Sequence, residues 1–144
     1  MRVILISALT LSLLGCQCFA PVSASGSIQR GAVIEVQGTS SVFSNRPTLY
    51  ELTVYDQNSD SPKPLWQVTG KGRVSSVTYG TVPTGMSEDA PARPLEIGHV
   101  YIVGVYGDTA GSILSGSYCR GRLRFKVNSS GEIVNCSEEG SACG

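Results

Sequence analysis

The sequence predicts an all-β fold, a small antiparallel sandwich of about seven strands, with a small β-barrel as the alternative. Three observations carry that expectation. Short apolar segments alternate with turn clusters of Gly, Pro, Asn, Asp and Ser at the spacing of an all-β chain. In 48–56 (TLYELTVYD), Tyr50, Leu52 and Val54 share one face while Glu51 and Thr53 share the other, a period of two. No segment keeps a helical period over about ten residues. Gly, Ser, Thr and Val are abundant, which favours strands and turns. The 144 residues suit one domain.

The elements follow in chain order. Arg2 is the only charge before an apolar run from Val3 to Leu14. Spanning a bilayer takes about 20 apolar residues, so this run fits the hydrophobic core of an export signal. Residues 1–15 are therefore expected to form a signal helix that is removed. Leu13, Leu14 and Gly15 stand directly before Cys16. That stretch resembles the lipobox of bacterial lipoproteins. The resemblance implies cleavage before Cys16, acylation of that residue, and anchoring at a membrane of the bacterial cell envelope. With Gln17 following the cysteine, the family's sorting tendency implies the outer membrane. One acyl chain holds weakly and several hold stably. The competing site is Val22-Ser23-Ala24, where cleavage after Ala24 would free a periplasmic or secreted protein. Residues 16–30 are small and polar and read as a flexible tether. The sandwich domain is expected over 31–144.

Within it the expected strands are 32–37, 48–56, 65–70, 73–79, 99–107, 118–128 and 132–136. Gly70-Lys71-Gly72 reads as a hairpin turn. Residues 56–64, 82–94 and 109–116 read as loops. The stretch 94–107 (PLEIGHVYIVGVYG) resembles the tyrosine corner of fibronectin type III and related immunoglobulin-like domains. By that resemblance Leu95, Gly98 and Tyr101 build the corner, and Tyr101 bonds backbone across the turn. Trp66 fits a core position.

Five cysteines are odd for an exported chain. If Cys16 is acylated, Cys18, Cys119, Cys136 and Cys143 remain to pair. Proximity favours Cys119 with Cys136, although a hairpin turning at Ser129-Ser130 sets Cys136 opposite residue 123.

Catalytic patterns are sparse. His99 is the only histidine, no GxSxG elbow accompanies it, and it reads as a turn residue. Glu88-Asp89 and Glu138-Glu139 read as solvated pairs. No metal set and no cofactor pattern is present in the sequence, so neither is expected. A net charge of zero argues against nucleic acid. The most informative stretch is YCRGRLRFKVN, in which Tyr118, Arg120, Arg122, Arg124 and Lys126 fall on one face. Such a stripe is either neutralised by cross-strand acids or guards an edge, or it docks an anionic envelope component or protein partner, whether lipid headgroups, an acidic polysaccharide or an acidic protein. The residues SGSY (115–118) loosely resemble the loop of lysozyme-inhibiting lipoproteins, with one residue fewer before the tyrosine. The expected function is a non-catalytic binding or structural domain held at a membrane. The alternative is a secreted or periplasmic inhibitor or immunity-type protein that binds an enzyme.

Overall fold

The computed structural model describes residues 18–37, 47–108, 118–136 and 143. The expected signal helix, Cys16, the pair Glu138-Glu139 and the first three residues of SGSY lie outside them. The described residues form ten strands: β1 (Cys18–Phe19), β2 (Val22–Ser27), β3 (Gly31–Val36), β4 (Thr48–Asp56), β5 (Trp66–Arg73), β6 (Ser76–Thr78), β7 (Met86–Ala90), β8 (Val100–Asp108), β9 (Tyr118–Val127) and β10 (Ile133–Asn135).

They form two sheets. One runs β1-β9-β8-β4-β5-β7, with β10 also on β9, and the other runs β2-β3-β6. All pairings are antiparallel except β1 on β9, which is parallel. The fold is therefore an all-β, open two-sheet sandwich rather than a closed barrel. Period-two patterning turns Leu52, Val54, Trp66, Val68, Val103, Val105, Phe125 and Val127 inward. Ile34, Val36 and Val77 of the smaller sheet close the core over them. Trp66 is fully buried, with its indole N–H donating to Glu88 at 3.0 Å.

All seven expected strands exist, and the structure adds three. The stretch read as a tether contains β1 and β2. In β2, Ala24 and Ser27 are buried, and Val22, Ser23 and Ala24 pair with Val36, Glu35 and Ile34 of β3. The stretch read as a long loop contains β7, whose Ser87, Glu88 and Asp89 give the sheet a polar outer edge. Gly70-Lys71-Gly72 is no hairpin turn. β5 runs through it to Arg73, and the chain then crosses to the other sheet as β6. The reason is packing: Gly70 has a φ of +143°, and a Cβ there would meet the Gly85 carbonyl oxygen at 2.5 Å, so glycine lets the residues ahead of β7 close on β5.

The expected Cys119–Cys136 pairing is corrected. The β9–β10 register sets Val134 opposite Lys126, and the Cys136 N–H donates to the Arg124 carbonyl. Cys136 thus lies five residues along β9 from Cys119, about 17 Å away. It instead bonds Cys143, with Cα atoms 5.5 Å apart. Cys119 is itself disulfide-bonded, and its register partner across the parallel ladder is Cys18.

Candidate functional site

The outer face of the larger sheet holds the predicted cation stripe. Along β9, Cys119, Gly121, Phe125 and Val127 are buried while Tyr118, Arg120 and Arg122 are exposed. The stripe is not uniform. Arg124 Nε donates to Gln57 Oε1 at 3.0 Å, and Lys126 lies between Val100 and Val134. Arg122 faces Gly104 of β8, and Arg120 faces Tyr106. Among the described residues no carboxylate lies within salt-bridge distance of Arg120, Arg122, Arg124 or Lys126. Cross-strand neutralisation, one of the sequence's alternatives, is therefore not what this face displays.

A groove of about 700 Å³ runs over this face between Tyr55, Ile102, Tyr106, Arg120 and Arg122. Its floor is open because a Cβ at Gly104 would meet nothing within 4 Å, so the missing side chain is what makes the depression. Thr53 forms part of its wall and is nearly buried. Glu51 is the carboxylate in the groove, and it accepts from Thr53 Oγ1 at 2.9 Å and Gln67 Nε2 at 3.2 Å.

The end of the groove at Tyr118 carries an aromatic cluster that sequence reasoning missed. Tyr106 stacks on Tyr118 with ring centroids 5.5 Å apart, and Tyr50 packs on both at 6.1 and 6.0 Å. The Arg120 guanidinium stands 5.9 Å from the Tyr106 ring centroid. Simple alternation puts Tyr50 on the core face with Leu52. A β-bulge between Leu49 and Glu51 shifts the register and lets Tyr50 join the outer cluster instead.

At Leu95, Gly98 and Tyr101 the chain turns from the β7 side into β8. The Glu96 N–H donates to the Tyr101 hydroxyl at 2.7 Å, Gly98 turns with a φ of +85°, and Leu95 packs against the core. Burial pushes the Tyr101 phenol above its ordinary range. The backbone bond from Glu96 opposes that shift, and the Asp56 and Glu96 charges add to it.

His99 is more engaged than a surface turn residue. Its Nδ1 lies 3.0 Å from Asp56 Oδ2 and its Nε2 lies 3.4 Å from Glu96 Oε2. Both ring nitrogens therefore face carboxylates. Glu88 and Asp89 are not a solvated loop pair either: Glu88 holds the Trp66 indole, and Asp89 accepts from Thr69 Oγ1 at 2.5 Å. Among the described residues no group of three or more His, Cys, Asp or Glu is arranged to hold a metal ion. Among them, too, no helix is long and apolar enough to cross a membrane. No protein-family model, no curated protein and no solved structure matches this chain.

Proposed function

We propose that this chain is a cell-envelope lipoprotein whose β-sandwich is a non-catalytic binding domain, anchored through acylated Cys16 and engaging an anionic partner on its β4–β8–β9 face. The observation that carries the anchor is the way the segment after Cys16 is built into the fold. Ala20 and Ala24 are core residues, Val22 packs against the core, and the Ala20 N–H donates to the Arg120 carbonyl at 3.1 Å. Cleavage after Ala24 would remove β1 and half of β2 and would take away Cys18, the register partner of Cys119. Cleavage before Cys16 keeps every one of these contacts. The unneutralised Arg120 and Arg122 beside an open groove support an anionic partner.

The test is mass spectrometry of the mature N-terminus from the envelope fraction of cells that make the full-length chain. An acylated peptide beginning at Cys16 is expected. An unmodified terminus at Ser25 would overturn the proposal and leave a soluble exported protein.

A further inference from the structure

Resting on that anchored reading, we propose that the anionic partner is the bilayer itself: the Tyr118 end of the β8–β9 face lies on phospholipid headgroups. The direction of β1 leads to this. Because β1 runs parallel to β9 with Cys18 beside Cys119, the chain upstream of Cys18 heads toward the Tyr118 end of β9. Cys16 precedes Cys18 by two residues, which reach at most about 7 Å. Cys119 points to the core, so Tyr118 and Arg120, its sequence neighbours, point outward on the other face. An acyl group on Cys16 therefore emerges within a few residues' length of Tyr118, Tyr106 and Arg120.

The chemistry at that end suits a membrane surface. Tyr118 is 59% exposed and stacks in a cluster of three tyrosines, a residue type that favours the headgroup region because its ring is apolar and its hydroxyl is wet. Arg120 and Arg122 follow along the strand without carboxylate partners among the described residues. Among the described residues the acids that face them are Asp108, the register partner of Tyr118, and Glu51, already bonded to Thr53 and Gln67. Among the described residues, four cations on β9 against these two acids leave the face positive. A short link between anchor and sheet also limits the domain's freedom to turn this face away. Acyl chains and a basic patch together are the kind of double signal that holds a protein stably at a membrane.

The experiment removes the acyl contribution and asks whether the face binds alone. The mature chain from residue 16 with Cys16→Ser is exported, oxidised and sedimented with vesicles of phosphatidylcholine alone or with added phosphatidylglycerol. Binding is expected to the anionic vesicles only, to weaken with salt, and to fall roughly thirtyfold in Arg120→Ser/Arg122→Ser. Arg120→Lys/Arg122→Lys, which keeps the charge, is expected to bind nearly as well. Equal binding to both vesicle types, or no loss in the double Ser variant, overturns the inference. So does binding to soluble polygalacturonate with none to vesicles, which would make an acidic polysaccharide the ligand. An acylated native terminus combined with no binding to anionic vesicles overturns this inference and leaves the anchor standing. A native terminus at Ser25 overturns both.

Discussion

Replacing Gly121 by alanine tests whether the segment after Cys16 belongs to the folded domain. A Cβ at this position would stand 2.5 Å from Val22 Cγ2, 2.6 Å from the Ala20 carbonyl oxygen and 2.7 Å from Val105 Cγ2. Comfortable carbon contacts lie at about 3.5–4.0 Å, so each neighbour must give way by roughly an ångström. Two of the three belong to the N-terminal segment, and one of those is backbone, which cannot rotate aside. Overpacking of this kind costs about 1–3 kcal/mol, and the backbone obstruction places Gly121→Ala at the upper end, about 3 kcal/mol. Val22→Ala removes the nearest obstructing methyl and alone costs about 1 kcal/mol through lost burial. If Val22 lies where the structure has it, the double variant recovers part of the strain, and the two changes couple by about 0.5–1 kcal/mol. The assay is urea unfolding of the four proteins, with midpoints compared at unchanged slope. Strict additivity, within about 0.5 kcal/mol, would refute the reasoning, because it would mean Val22 does not press on Gly121 in the native state.

Three further outcomes are expected. Tyr101→Phe removes the hydroxyl that the Glu96 N–H reaches, and is expected to lose about 1 kcal/mol in the same urea assay; no change would mean water replaces the corner bond without loss. The buried Tyr101 phenol holds its proton more tightly in the folded state, so its contribution is intact below about pH 10 and lost as pH rises through the raised folded value. Thermal unfolding should therefore weaken above that pH, and less so in Tyr101→Phe; identical pH curves would exclude Tyr101 as a source. Non-reducing peptide mapping is expected to return Cys136 with Cys143, and Cys119 with Cys18. With Cys16 acylated as proposed, the second pairing follows because Cys119 is a half-cystine, Cys136 and Cys143 are joined to each other, and the backbone register sets Cys18 beside Cys119. A peptide joining Cys119 to Cys136 would overturn both assignments.

Where burial alone sets the structure, the sequence was legible. β9 alternates inward residues with cations, and Leu52 and Val54 of β4 alternate with polar neighbours, so these inward faces can be read directly. The corner around Tyr101 was legible because its parts are consecutive. β2 (VSASGS) and β7 (MSEDA) escaped because they carry few large apolar side chains. Their strand state comes from pairing with β3 and β5, which no local pattern announces. The cations of β9 were visible, but the groove beside them was not. It depends on Gly104 facing Arg122 across one ladder and Thr53 across the other. The tyrosine cluster draws on three strands and on a bulge that moves Tyr50 out of the alternation. A one-residue register shift of this kind has no signature in TLYELTVYD.

The outer edge of β9 shows why the cysteines lie where they do. β1 covers that edge at Cys119 and Arg120, and β10 covers it from Phe125 to Val127. Both are too short to hold themselves in place. Ordering each residue opposes folding by about 1–2 kcal/mol, while a backbone hydrogen bond returns about 1 kcal/mol net. A two-residue and a three-residue strand can therefore stay on a sheet edge only with outside help. A half-cystine stands at the pairing site of β1, and the Cys136–Cys143 bridge begins one residue past β10. Reduction should then free these two segments while the core remains folded. Hydrogen exchange before and after reductant would show it. The amides of Ala20 and Cys136, which donate to Arg120 and Arg124, are expected to exchange at least about tenfold faster on reduction. The amides of central β4 and β8 should keep their protection, because the core side chains packed around them, such as Leu52, Val54, Trp66, Val103 and Val105, do not depend on either edge strand being crosslinked. If every amide accelerated together, the bridges would be supporting the whole domain and not its edge. If none did, β1 and β10 would be held by packing alone.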